Sequence, residues 1–396
     1  MKNFIPRNYI LLFFMVILFS LFGGLIGGIV SRVYVLDKIY PLPFFGDIDF
    51  SNQDYNGSDI IISGAKKVVV EQDAKITETL ESTKNSIVGI FKKNKLSEKQ
   101  KNPTTKVNQE KSKEYKFDKN NFYNLSDQEG EGLIITADGW ITSNIIFPSK
   151  EEKYIIDNYV VITKNKELYE IDDIVLDSLT NFYFLHVKDI KDFSVIGFSD
   201  NSDILSGSLA IYNNFNQDII TTSIIGIKEN EDIVKSTDFY DDRIEIVSNL
   251  EEKNSGFIFN LKGEVLGLVS LESIIPISHF FGAIDSLLKT NNIVRPKVGI
   301  NYVNFNNLLI VNDNENINKY LDKVIVSKNI KGVAIEKNSL ADKAGILVDD
   351  IIISINNIEL NKDNNITYLI QGYIAGETIL IEYLREGIIF ETNIVL

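Results

Sequence analysis

The residue best placed to do chemistry is Ser255, in the turn Asn254-Ser255-Gly256 that runs into the apolar stretch Phe257-Ile258-Phe259. A serine hydroxyl is a weak nucleophile until an adjacent base takes its proton, so the question is which side chain could do so. The chain has two histidines, His186 and His279, and no cysteine. Imidazole chemistry is thereby restricted, and disulfides and thiolate metal sites are excluded. No metal or cofactor is expected. Lys253 stands close to Ser255, but Glu252 beside it and exposure to solvent would keep its ammonium protonated and a poor base. Ser255 therefore has two readings: a nucleophile with an unconventional base, or a turn residue that persists because Asn-Ser-Gly makes a good hairpin corner.

The elements that must position this serine are short. Between Gly132 and Ile277, apolar or alternating runs such as "YVVITK", "FYFLHV", "SLAIYNN", "GFIFN" and "EVLGLVS" are bounded by Gly, Asn, Asp or Lys turns. That spacing predicts an all-β sandwich or a pair of barrels. A helix-compatible stretch over Val68–Lys84 and a buried strand in "NSIVGIF" precede them, and "HFFGAIDSLLKT" at 279–290 predicts an amphipathic closing helix. The sequence thus divides into an N-terminal segment 1–37, a linker 38–65, a main domain 66–292 and a final domain 296–396. Within the main domain, residues 92–120 hold ten lysines against four acidic residues and almost no aliphatic side chains. Such a stretch cannot bury a core, and a long, mobile, solvated loop is expected there.

Composition sets further bounds. At 396 residues and 44% apolar content the chain can bury more than one core, and its formal charge of −15 argues against a nucleic-acid surface. The run Tyr9–Val30 carries no charge and as a helix would be roughly 33 Å long, enough for a bilayer core. With Lys2 and Arg7 before it, the reading is an uncleaved, single-pass anchor with a cytoplasmic N-terminus, so that the cell membrane holds the chain and the later domains lie outside the cytoplasm.

The order of these pieces resembles the HtrA/DegP family, in which a membrane anchor is followed by a trypsin-like protease domain of two β-barrels and a C-terminal PDZ domain. The segments that carry the resemblance are "GEGLIITADGWITSN", "SDILSGSLAIYNNFNQDIITTSIIGI", "NSGFIFNLKGEVLGL" and "RPKVGINYV". It implies a mostly β fold: an N-terminal transmembrane helix, a trypsin-like double barrel and an α+β PDZ domain. It also implies a degenerate catalytic triad. Ser255 matches the nucleophile, but Ile146 takes the position of the family's general-base histidine and Asn181 that of the aspartate which orients it. Lys253 replaces a glycine whose N–H helps form the oxyanion hole, and Phe257 replaces the second glycine after the serine. His186 lies five residues beyond Asn181 on one predicted strand, so alternation turns it to the opposite face. His279 opens the closing helix, which in the family packs away from the cleft.

Losing the base costs on the order of 10⁴ to 10⁶ in turnover. The resemblance then implies a pseudoprotease of envelope quality control, an adaptor or scaffold that binds peptides or unfolded proteins, as a homo- or hetero-trimer. An active serine endopeptidase using Ser255, and a purely structural membrane scaffold, are the alternatives. In the PDZ-like part, "GVAIEKNSLADKAGILVDDIIISINNIEL" matches the family's core, and Val298-Gly299-Ile300 matches its carboxylate-binding loop. Ile366 to Tyr373 would be the helix walling the peptide groove, with Ile366 and Ile370 lining it. Backbone N–H groups at Val298–Ile300 would receive a C-terminal carboxylate while the peptide adds a strand to the sheet edge.

Overall fold

The structure, a computed structural model, describes residues 63–94, 122–190, 193–230, 232–250, 255–271, 273–307, 320–361 and 364–396, with Met15, Val16, Leu18, Ser20 and Gly24. The predicted Lys-rich loop lies outside these residues except at its first three positions, and the linker 38–65 outside them except at its last three. Asp73–Leu396 form one compact unit, and Met1–Gln72 group separately.

The expected membrane span is overturned. Most of Tyr9–Val30 lies outside the described residues, and among the described residues no helix is long and apolar enough to cross a membrane. The transmembrane helix, the single-pass topology, the membrane as a partner and the cell-membrane location fall with it. An uncharged run supplies hydropathy, whereas a span needs an unbroken helix about 20 residues long.

Alternating apolar strands close into the first barrel after helix α1 (Ser63–Thr83). Its strands are β1 (Ile87–Lys92), β2 (Gln128–Ile134), β3 (Trp140–Ser143), β4 (Tyr159–Thr163), β5 (Leu168–Asp177) and β6 (Phe182–Val187), with helix α2 (Glu152–Asn158) before β4. They run in the order β1-β2-β3-β6-β5-β4, and β1 pairing with β4, Val88 opposite Thr163, shuts the ring. Val88, Ile90, Ile134, Ile141, Tyr159 and Leu185 fill it.

The second barrel follows the same logic. Its strands are β7 (Leu209–Asn213), β8 (Ile219–Glu229), β10 (Asp242–Ile246), β11 (Ser255–Asn260), β12 (Val265–Ser270) and β13 (Ser273–Pro276), in the order β10-β13-β12-β11-β7-β8. Strand β9 (Val234–Ser236), between β8 and β10 in the chain, is not part of that ring. Ile87, Leu133, Phe182 and Phe184 of the first barrel share one apolar cluster with Phe257, Phe259 and Leu268 of the second. Helix α3 (Phe281–Thr290) joins this cluster through Ala283 and Leu287 and ends at Asn291, whose φ of 54° stops it.

The C-terminal part is one sheet of β14 (Asn301–Asn304), β15 (Val324–Val326), β16 (Ile351–Ile355), β18 (Thr378–Arg385), β19 (Ile388–Val395) and β9, with β17 (Ile358–Glu359) paired to β16. Its order is β19-β18-β16-β15-β14-β9. Helices α4 (Leu340–Lys343) and α5 (Ile366–Gln371) cover its core. Asn356 and Asn357 turn the β16–β17 hairpin at φ 49° and 62°, as the Asn-Asn pair predicts. Strand β9 crosses the boundary that the sequence places between the domains, since it belongs to the main domain by position and to the C-terminal sheet by pairing.

One buried ion pair ties the parts of this unit together. Arg295 Nε and Nη2 donate to the two carboxylate oxygens of Asp177, at the end of β5, at 3.0 and 2.6 Å, and Nη2 also reaches the His279 carbonyl at 2.8 Å. Both side chains are almost wholly buried, so breaking the pair strands a charge in the interior.

Candidate functional site

Ser255 opens β11, and its hydroxyl donates to Glu131 Oε1 at 2.5 Å. Glu131 lies on β2 in the first barrel and is 2% exposed. Its other oxygen accepts the Phe215 N–H at 2.6 Å. Burial pushes the Glu131 carboxyl above its ordinary range, against the opposing pull of the Phe215 and Ser255 hydrogen bonds and the Lys164 charge. Burial lowers Lys164 in turn, and Glu131 counters it. Lys164 hydrogen-bonds the Phe215 carbonyl and lies 4.4 Å over the Phe215 ring centre.

The turn itself is locked by Tyr212. Its hydroxyl donates to the Ser255 carbonyl at 2.7 Å, and burial, followed by the Glu131 charge, raises the phenol so that it stays a neutral donor. Gly256 has φ 138°, and a Cβ there would stand 2.3 Å from the Tyr212 ring. Only glycine fits both the conformation and the space.

The resemblance sets Ile146 and Asn181 at the other two triad positions. Ile146 follows β3 and is 81% exposed. Ser143 Oγ donates to the Glu131 carbonyl at 2.6 Å and accepts the Ile145 N–H at 3.1 Å, while Asn144 Nδ2 donates to the carbonyl of Val269, the partner of Gly256 across β11–β12. These bonds bring the Ile146 segment to the edge where β11 begins. Asn181 sits in the β5–β6 turn at φ 58° and lines a cavity of about 570 Å³ with Lys235, Tyr240, Asp242 and His279. That cavity does not include Ser255. Lys253 lies outside the described residues.

Neither histidine reaches Ser255. His186 Nδ1 pairs with Asp172 Oδ1 at 2.6 Å, its Nε2 lies 3.0 Å from the Asp138 carbonyl, and its ring packs on Trp140. His279 is buried, stacked on Tyr240 at 3.8 Å, with Nε2 2.9 Å from Asp242 Oδ1 and 2.8 Å from the Tyr368 hydroxyl. Among the described residues no group of three or more His, Asp or Glu side chains could hold a metal ion.

The second region is the edge of the C-terminal sheet. Gly299 has φ 82°, and a Cβ would meet Ser339 at 2.5 Å, so the loop needs glycine there. Val298 and Gly299 N–H groups point together and donate to Asp238 Oδ1 at 2.9 and 3.1 Å. Strand β9 lies against β14, with Ser236 opposite Asn301 and Val234 opposite Val303. From helix α5, Thr367 Oγ1 donates to the Ser236 carbonyl at 3.0 Å and Gln371 Nε2 to the Thr237 carbonyl at 3.0 Å. Ile366 and Ile370, expected to line the groove, are wholly buried in the domain core with Val298 and Ile300.

Glu131, Tyr212, Asp238, Thr367 and Gln371 were not legible as site residues. For Glu131 a signal exists: an acid between two glycines just before an apolar strand is an unusual burial.

Comparison with known proteins agrees with this geometry. Residues 333–384 match the PDZ domain family. A "Probable periplasmic serine endoprotease DegP-like" of Bartonella henselae is 27% identical over 274 residues, 65% of this chain and 51% of that protein. "Serine protease Do-like HtrB" of Bacillus subtilis is 25% identical over 287 residues, 65% of this chain and 62% of that protein. The chain therefore spans about half to three fifths of the length of these relatives. The solved structure "HtrA-type protease AlgW with tripeptide" superposes with a TM-score of 0.50 at 15% identity, over 80% of this chain and 95% of that one. At that identity the likeness speaks for the fold alone. The chain is thus similar to the HtrA family in its serine-protease-like double barrel and carries PDZ homology in its C-terminal sheet.

Proposed function

We propose that this chain is a non-hydrolysing relative of the HtrA proteases, a scaffold or adaptor that works by binding extended or C-terminal peptide segments. The observation that carries the reading is the partner of Ser255: a carboxylate at 2.5 Å, where a serine hydrolase needs a neutral base. A carboxylate is a much weaker base than imidazole, and its charge opposes the oxyanion that must form beside it. Ile146 at the aligned histidine position cannot accept a proton, and Asn181 at the aligned aspartate position carries no charge to stabilise an imidazolium. Binding requires none of these groups. The PDZ homology over residues 333–384 supports a peptide-binding role for the C-terminal sheet, and in the Val298–Ile300 loop two convergent N–H groups have the chemistry to hold a carboxylate.

A second reading is favoured by the same contact. Glu131, with its pKa raised by burial, would be the base of a serine–glutamate endopeptidase. Cleavage of a fluorescein-labelled unfolded protein separates the two. The first reading expects release no faster than the buffer control, unchanged in Ser255→Ala. Turnover abolished by both Ser255→Ala and Glu131→Gln would establish the second.

A further inference from the structure

The groove between β14 and α5 already holds a strand. Beyond the β9 ladder, Thr237 N–H donates to the Ile300 carbonyl at 3.0 Å, and Ile300 N–H donates to Thr237 Oγ1 at 3.2 Å. Asp238 Oδ1 then takes the two loop N–H groups, and Thr367 and Gln371 bond the carbonyls of Ser236 and Thr237 from the helix side. Every feature by which an added peptide strand would be recognised is satisfied by the chain's own residues 234–238: ladder hydrogen bonds, an acidic group at the amide nest, and contacts to the helical wall. A strand this short is not held by its own propensity. The groove holds it.

We propose that Val234–Asp238 is a built-in ligand of the C-terminal domain, with the Asp238 side chain standing in for a terminal carboxylate, and that an incoming C-terminal peptide must displace it. This rests on the peptide-binding reading above. A peptide ending at the position of Thr237 would keep that residue's N–H bond to Ile300 and bring its own terminal carboxylate to the amides of Val298 and Gly299. The partner so specified is an extended C-terminus with a hydroxyl-bearing last residue, not an internal loop. Displacement would free the connection between β8 and β10, so ligand binding and the second barrel are joined by covalent chain.

The test uses the full chain, its Asp238→Ala variant and, as a milder change that keeps the Oδ1 acceptor, Asp238→Asn. Amide hydrogen exchange at Val298 and Gly299 reads the internal ligand without any peptide. Binding of fluorescein-labelled Ile-Val-Lys-Ser-Thr, with a free carboxylate and as its C-terminal amide, reads displacement. The expected result is exchange at least tenfold faster in Asp238→Ala, with Asp238→Asn between, and at least tenfold tighter binding of the free-acid peptide by Asp238→Ala than by the unaltered chain. Equal exchange in all three proteins overturns the internal ligand whatever the peptide does. Faster exchange with no binding of the peptide by any of them instead overturns the peptide-binding function and, with it, displacement by a C-terminus. Equal binding of acid and amide forms overturns the assignment of the amide nest to a terminal carboxylate.

Discussion

Two carboxylates, Glu131 in the serine cleft and Asp238 in the C-terminal groove, meet two backbones of similar design with opposite consequences. Each site is shaped by a glycine at positive φ, Gly256 at 138° and Gly299 at 82°, and neither glycine has room for a Cβ. In the cleft the carboxylate accepts the hydroxyl that a nucleophile would use. In the groove the carboxylate accepts two convergent N–H groups, an arrangement suited to an anion. The contrast shows that the shape of the serine turn has structural causes of its own: the hairpin corner, the Tyr212 clasp and the shared aromatic cluster hold it whatever chemistry Ser255 performs.

The largest effect expected concerns the pair that holds the two regions in one unit. Asp177→Ala leaves Arg295 buried without its partner, and urea denaturation should show a loss of roughly 3–5 kcal/mol. A loss below about 1 kcal/mol would mean that water solvates this guanidinium and that the joint is looser than the geometry says. Next comes Gly256→Ala, which forces a Cβ against the Tyr212 ring at an unfavourable φ. Strain and overpacking together should cost about 2–4 kcal/mol in the same assay.

Ser255→Ala removes one donor from a buried carboxylate and should cost about 1–2 kcal/mol. Stability should change in this variant and hydrolysis should not. The smallest effect is a slope. A folded-state pKa raised above the unfolded one means that the native state holds its proton longer, so stability is full below the ordinary carboxylate value near 4.5 and falls as pH rises through the raised value. Denaturation midpoints of the unaltered chain should therefore decline from about pH 4.5 upward relative to those of Glu131→Gln. A difference of the opposite sign would show that Glu131 is stabilised as a carboxylate, contrary to its burial.

Much of the fold could be read from residue patterns, because alternation and turns are local. The β11–β12 hairpin, the closing helix after His279 and the Asn356-Asn357 turn all follow from neighbours in sequence. Strand β9 was not legible, since it is three residues long and its partner β14 begins 65 residues after it ends, from 236 to 301. Pairing over that distance leaves no periodic trace. The helix of the groove was located correctly, yet its polar contacts come from Thr367 and Gln371, one position after Ile366 and Ile370. Apolar residues on a short helix are drawn first to the core. The membrane span failed for a related reason: continuity of apolar residues measures hydropathy, not helix length.

The most direct test of the central claim is labelling of the full chain with a fluorophosphonate probe, which reports an activated serine without requiring a known substrate. Ser255→Ala and Glu131→Gln serve as controls. A non-hydrolysing chain gives no labelling above the Ser255→Ala background, with Glu131→Gln indistinguishable from both. Labelling of the unaltered chain that disappears in both variants would contradict it and make Ser255 and Glu131 a working pair.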